Sequence, residues 1–173
     1  MGEVAPPQGE VAALVFVQSA LARRPGAVPA ARAMSHFGEH SAGWLGVAAL
    51  GALLAPRHRR DWLVAGAGAF VAHAVAVVIK RLVRRRRPHH PDVDVNVGTP
   101  SALSFPSAHA TSTTAAAVLM APLTGLPLPA IVVPPMALSR LVLGVHYPSD
   151  VVTGVAVGAL VAQLVRKIGR RND

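Results

Sequence analysis

Long apolar runs, separated by short basic or Gly/Pro-rich punctuation, organise this chain. The first, residues 11–22 (Val-Ala-Ala-Leu-Val-Phe-Val-Gln-Ser-Ala-Leu-Ala), ends at Arg23-Arg24-Pro25-Gly26. At a rise of ~1.5 Å per residue it falls short of a ~30 Å hydrocarbon core, so an interfacial helix is predicted. A polar passage containing Arg32, His36, Glu39 and His40 follows and reads as a solvated entrance. A span is predicted from about Ser41 and Trp44 to Ala55, stopped by Pro56 and the basic Arg57-His58-Arg59-Arg60. Asp61 is expected to cap the next helix and Trp62 to anchor it at the interface. Its apolar run to Ile79 is interrupted only by His73, which reads as a buried packing histidine. This helix is expected to continue through Lys80 to about Arg86, because Pro88 biases Arg87 away from helical dihedrals.

Residues 88–106 are rich in Pro, Asp, Asn, Gly and Ser and read as a loop. Ser107 is an N-cap for a helix over about 108–123, ended by Thr124-Gly125. Pro127 and Pro129 open another that reaches Gly144, with a kink expected at Pro134-Pro135. After Tyr147-Pro148, Ser149 caps a last helix that ends in Arg166, Lys167, Arg170 and Arg171. Gly154 and Gly158 form a G-x-x-x-G, a helix-packing device. The predicted fold is all-α: an integral membrane bundle of about five or six helices, with residues 1–40 as an N-terminal interfacial and entrance segment and 41–173 as the bundle.

Composition agrees with this pattern. Hydrophobic residues make up 52% and charged residues 14% of the 173 positions, too apolar a mixture for an ordinary soluble domain. The formal charge of +9 sits at the ends of apolar segments instead of along a hydrophilic face. That distribution disfavours nucleic acid and favours membrane lipids and lipid phosphates as partners. Seven non-motif cations (Arg23, Arg24, Arg32, Arg81, Arg84, Arg85, Arg86) fall on one predicted face and seven (Arg57, Arg59, Arg60, Arg166, Lys167, Arg170, Arg171) on the other, so the positive-inside rule selects no orientation. Cysteine is absent, which excludes disulfides and thiolate metal sites. The Met1-Gly2-Glu3 start lacks a signal peptide's cationic region and reads as a frayed part of the mature chain.

Alternation of the spans brings four helix ends to one membrane face: the end of the Lys80 helix, the start at Ser107, the end after Arg140 and the start at Asp150. Lys80 and Arg87 lie two helical turns apart and could close on one anion from two sides. Arg81, Arg84, Arg85 and Arg86 read as a basic flanking run, since a helix cannot point consecutive arginines one way. Ser107, the first-turn N–H groups near Ala108 and the positive helix end form an anion site in which His109 could donate a proton. Arg140 supplies a fork for phosphate oxygens, and an imidazole such as His146 becomes a nucleophile or base when a carboxylate such as Asp150 holds its other nitrogen. His89, His90, Asp92 and Asp94 are ordinary metal-ligand types, but they lack rigid spacing, so no metal site is assigned.

Lys80-x6-Arg87-Pro88, Pro106-Ser107-x-His109 and Ser139-Arg140-x5-His146-x3-Asp150, in this order, resemble the three signatures of the type 2 phosphatidic acid phosphatase family, the PAP2 or lipid phosphate phosphatase superfamily. One departure is Ala108, where the family usually has Gly. The resemblance implies a membrane-embedded phosphomonoester hydrolase working through a phosphohistidine on His146, with Asp150 orienting it and His109 protonating the leaving oxygen. Lys80, Arg87, Ser107, Ala108 and Arg140 would hold the phosphoryl oxygens, and the scheme uses neither metal nor cofactor.

The short chain, its Ala/Arg/Val-rich composition suggestive of a high-GC bacterium and the entrance Phe37–Trp44 are similar to the branch of that family which, in mycobacteria, dephosphorylates decaprenylphosphoryl-5-phosphoribose on the way to arabinan donors. Polyprenyl diphosphate, phosphatidate and phosphatidylglycerol phosphate are the alternative substrates, and a non-catalytic protein binding anionic lipid is the alternative of another class. The implied setting is a multi-pass protein of the bacterial inner membrane, and homo-oligomerisation is compatible with the pattern.

Overall fold

A computed structural model describes residues 6–169; the expected frayed start at residues 1–5 and the cations Arg170 and Arg171 lie outside them. Among the described residues the regular elements are helical: α1 (Gly9–Leu21), α2 (Ala27–Gly38), α3 (Ala42–Leu54), α4 (Arg59–Val83), α5 (Ala108–Thr124), α6 (Leu128–Val142) and α7 (Pro148–Gly169), with short 3-10 turns at Glu39–Ser41 and Pro56–His58. The fold is all-α, as the pattern predicted.

Alanine-rich α5 lies at the centre, where 11 of its 17 residues are buried. Small side chains let α4 and α7 approach it closely, and Ala65, Ala69, Ala72, Ala115, Ala116, Met120, Val161 and Ala162 form the main core. Gly154 and Gly158 carry this approach: an added methyl would stand 2.7 Å from the Ser107 carbonyl oxygen and 2.3 Å from that of Thr111. The first turn of α7 is thereby held against the start of α5, and Ser107 N–H donates to the Asp150 carbonyl at 2.9 Å. Large apolar side chains populate the outer surface instead, with Leu82 77% exposed, Leu54 75% and Leu53 71%. Surface of that kind belongs against lipid, and α4 with its preceding turn (28 residues) and α7 (22 residues) are long and apolar enough to cross a membrane.

Several local expectations are corrected. The passage after Arg24 is helix α2, whose small residues Ala31, Ser35 and Gly38 form its buried face. Among the described residues, α1 and α2 thus precede the five helices α3–α7. Helix α4 starts at Arg59, so Asp61 sits inside the first turn, and Trp62 is buried against Gly51 of α3 instead of anchoring an interface. Its C-terminus comes at Val83, because Arg84 adopts a left-handed conformation (φ 55°) that ends the helix three residues early.

Candidate active site

The early end of α4 changes how the basic cluster is built. Lys80 and Arg87 do not share a helix: Lys80 is on the last turn of α4, whereas Arg87 lies in an extended segment paired with residues 101–104. Arg87 N–H donates to the Ala102 carbonyl at 3.1 Å and Ser104 N–H to the Arg85 carbonyl at 2.8 Å, which fixes the strand-like stretch against the loop. The buried Lys80 ammonium donates to the carbonyls of Leu103 (3.0 Å) and Ser104 (3.1 Å). Arg87 Nε donates to the Ser101 carbonyl at 2.8 Å, and its Nη1 to that of Val145 at 2.6 Å. Backbone carbonyls thus aim both cations, a role that two turns of helix cannot perform.

Helix α5 begins as predicted, with the Ser107 hydroxyl accepting from Ala110 N–H at 3.4 Å. Ala108 and His109 follow on its first turn, and both line a cavity of about 660 Å³ together with Lys80, Arg87, Arg140 and His146. His109 Nε2 lies 3.0 Å from the Ser35 carbonyl oxygen. A carbonyl only accepts, so Nε2 carries the proton and Nδ1 is the basic atom of the neutral ring.

His146 occupies the turn between α6 and α7, closed by Gly144 in the left-handed region (φ 70°) with its Cα packed on the Asp94 carbonyl. Arg87 Nη1 faces His146 Nε2 at 3.4 Å. Guanidinium cannot accept, so Nε2 presents its lone pair to the cavity and Nδ1 carries the hydrogen. That Nδ1 stands 3.6 Å from Asp150 Oδ2, within ion-pair range but beyond a hydrogen bond, and has no hydrogen-bond partner. Asp150 Oδ2 instead accepts from Tyr147 N–H at 2.8 Å. Burial lowers the His146 pKa from 6.5 to about 4, with Arg87 and Lys80 adding to the effect and Asp150 opposing it. Burial also lowers Arg87 to about 10, leaving it cationic at neutral pH.

Arg140, only 1% exposed, reaches the same cavity from α6. Its Nε donates to the Ser139 hydroxyl (3.0 Å), Nη1 to the Ser35 hydroxyl (3.1 Å) and Nη2 to the Ala31 carbonyl (3.4 Å).

Arg85 departs furthest from expectation. Placed in the basic flanking run by its neighbours, it instead donates to Asp150 Oδ1 at 3.1 Å and to the Ser149 hydroxyl at 2.7 Å, pairs with Glu10 of α1, and lies 3.9 Å above the Tyr147 ring centroid. The strand-like backbone turns alternate side chains to opposite sides, a distinction that a run of arginines in the sequence does not reveal. Ser35 and Glu10 were likewise outside the expected site. The small-residue face Ala31, Ser35, Gly38 was the available signal for the first; no signal existed for the second. His36, Glu39 and His40, read as a solvated entrance, line the cavity, and so does His73, whose Nδ1 is buried without a hydrogen-bond partner.

One wall of the cavity is apolar: Ala74, Val77 and Val78 of α4. Ala74 and Val78 also line a groove on the outside of α4 with Phe70, Val71, Val75 and Ile79. The polar cavity and the apolar outer groove are therefore contiguous.

A family model described as the PAP2 superfamily matches residues 61–173. The decaprenylphosphoryl-5-phosphoribose phosphatase of Mycobacterium tuberculosis is 69% identical over 163 residues, covering 94% of this chain and 92% of the relative. The protein of the same name from Mycolicibacterium smegmatis is 74% identical over 148 residues, covering 86% of this chain and 82% of the relative. In fold, the chain is similar to the crystal structure of the transmembrane PAP2 type phosphatidylglycerolphosphate phosphatase of Bacillus subtilis (TM-score 0.72, 21% identity, 94% of this chain and 87% of that one). It is also similar to LpxE of Aquifex aeolicus (TM-score 0.66, 19% identity, 90% and 93%). The chain belongs to the PAP2 superfamily, and it is an enzyme of the phosphatase class.

Proposed function

We propose that this protein removes the 5-phosphate from decaprenylphosphoryl-5-phosphoribose, as a multi-pass enzyme of the bacterial inner membrane supplying decaprenylphosphoryl-ribose to arabinan synthesis. In this reading 41–173 is the catalytic bundle and 1–40 an N-terminal interfacial and entrance segment, of which α1 and α2 pack against α6. The substrate assignment rests on 69–74% identity to proteins of that name over most of the chain. The supporting observation within the site is the pairing of the His146 Nε2 lone pair with the Arg87 guanidinium at the cavity surface. A phosphoryl group entering between them would meet nucleophile and cation together.

In this scheme His146 Nε2 attacks phosphorus and the bond from phosphorus to the ribose 5-oxygen breaks. Imidazolium at His109 gives its proton to that oxygen, releasing the alcohol. The phosphorylated His146 ring is cationic and stands beside Asp150, whose carboxylate offsets the charge. Water then attacks phosphorus, His109 takes back a proton, and inorganic phosphate leaves with His146 neutral again. Lys80, Arg87, Arg140, Ser107 and the N–H groups around Ala108 hold the equatorial oxygens, where charge stabilisation matters most in phosphoryl transfer.

Phosphate release by the purified protein from the phosphoribosyl lipid, undecaprenyl diphosphate, phosphatidate and phosphatidylglycerol phosphate tests the reading. Preference for the first is expected. Faster turnover of any other lipid sinks the substrate assignment, and equal turnover by wild type and His146→Ala sinks the catalytic one.

A further inference from the structure

Helix α2 lies outside the residues matched by the family model, yet its one buried face reaches two groups of the site. Ser35 contributes two separate oxygens. Its hydroxyl accepts from Arg140 Nη1 at 3.1 Å, and its carbonyl accepts from His109 Nε2 at 3.0 Å. One turn earlier, the Ala31 carbonyl takes Arg140 Nη2. One turn later, Gly38 leaves room for the ring itself, since an added methyl there would stand 2.7 Å from His109 Cδ2.

We infer that Ser35, supported by Ala31 and Gly38, is a positioning residue: it aims the phosphate-binding Arg140 and fixes the tautomer and orientation of His109. The inference rests on the phosphohistidine scheme above and deepens it.

A guanidinium carries five N–H donors in a rigid fork, so fixing one edge fixes where the other edge points. With three donors committed to Ser139, Ser35 and Ala31, the remaining two are those available to phosphoryl oxygens. The Ser35 carbonyl does for His109 what a carboxylate does for a nucleophilic histidine. It accepts the Nε2 proton in both protonation states, leaves Nδ1 as the atom that gives and takes the mobile proton, and stabilises the transient imidazolium. A neutral carbonyl does this without adding a fixed negative charge to a site that must bind a phosphate.

The two arms of Ser35 can be separated experimentally. Ser35→Ala removes the hydroxyl and keeps the carbonyl, so it should weaken inhibition by vanadate, a phosphate mimic, by about tenfold, the worth of one hydrogen bond to a charged group. Ser35→Thr should restore it. Gly38→Ala crowds His109 at 2.7 Å, with the flexible tip of Met136 next at 3.2 Å, and removes no hydrogen-bond partner of Arg140. It should retain vanadate affinity but lose turnover of the lipid ester, whose alkoxide leaving group needs a proton, far more than turnover of p-nitrophenyl phosphate, whose leaving group does not. General loosening of the fold would lower both esters together.

The inference is overturned by a Ser35→Ala enzyme with wild-type vanadate affinity, or by a Gly38→Ala enzyme whose two activities are unchanged or fall in equal proportion. Failure of the unmodified protein to release phosphate from either ester would instead overturn the phosphatase reading, and this inference with it.

Discussion

Arg85 Nη1 donates to Asp150 Oδ1 at 3.1 Å while the other oxygen of that carboxylate stands 3.6 Å from His146 Nδ1. One fully buried carboxylate thus lies between a structural cation and the histidine whose Nε2 faces Arg87. Arg85 is anchored in turn by Glu10, which also accepts from Ser149 N–H at 2.8 Å. Removing Arg85 would leave Asp150 buried without its full counter-charge and free to re-aim.

Arg85→Ala is therefore expected to lower kcat by about tenfold or more, on the scale of an outer-shell partner of a catalytic group, and to reduce thermal stability. Arg85→Lys should not recover either property. A lysine cannot bridge Glu10, Ser149 and Asp150 while covering the Tyr147 ring. Steady-state kinetics and melting curves in detergent check both, and full activity in the lysine variant would contradict the account.

The His146 ring should stay neutral across the physiological range. Its folded pKa of about 4 lies below the ordinary 6.5, so an NMR titration of this ring should show no charge change between about pH 7.5 and 5. The sign for stability follows. Between 6.5 and 4 the unfolded chain binds the extra proton, so this residue makes the folded state less stable as pH falls through that window and adds no further slope below it. His146→Gln should flatten that part of the curve.

Ala108→Gly tests the one departure from the family signature. The backbone N–H proposed to bind phosphate survives and a methyl leaves the cavity rim, so activity should change by less than about threefold. The first helical turn should lose ~0.5–1 kcal/mol. Ala108→Val, by contrast, should raise KM by filling the rim. A large loss in the glycine variant would show that the methyl shapes the pocket.

Close packing of α7 on α5 predicts that Gly158→Ala costs ~1–3 kcal/mol, because the new methyl would meet the Thr111 carbonyl oxygen at 2.3 Å and one helix must move. Gly154→Ala should cost less stability but more activity, since it pries at the Ser107 carbonyl next to the link between Ser107 and Asp150. Unchanged melting in Gly158→Ala would disprove the close approach.

Much of the architecture was legible from apolar period and punctuation. Ser107 and Gly125 bound α5 within one residue of expectation, because a hydroxyl cap and a left-handed glycine are local chemistry. The end of α4 was not legible, since Pro88 marks where a helix is forbidden and Arg84 turns left-handed earlier, just before Arg85–Arg87 pair with residues 102–104. For the site, sequence order placed Lys80, Ser107, Ala108, His109, Arg140, His146 and Asp150 on helix ends at one face, and they line or adjoin one cavity there. The groups that orient them stayed hidden. Ser35 acts partly through its backbone, which side-chain identity does not advertise, and Arg85 is distinguishable from Arg84 and Arg86 only once the chain is extended.

Ala74 and Val78, shared between the cavity wall and the outer groove of α4, carry a consequence for how the enzyme meets its substrate. For the proposed polyprenyl substrate, pulling the tail out of the bilayer would cost roughly 0.8 kcal/mol per methylene, which summed over a long tail is far more than headgroup contacts return. A headgroup that enters beside this wall leaves its tail in the membrane. The concentration that governs turnover is then the mole fraction of lipid in the surrounding leaflet. Diluting the substrate with inert lipid at constant bulk concentration should slow the reaction, while shortening the tail should spare the bound step and change only how much substrate the membrane retains.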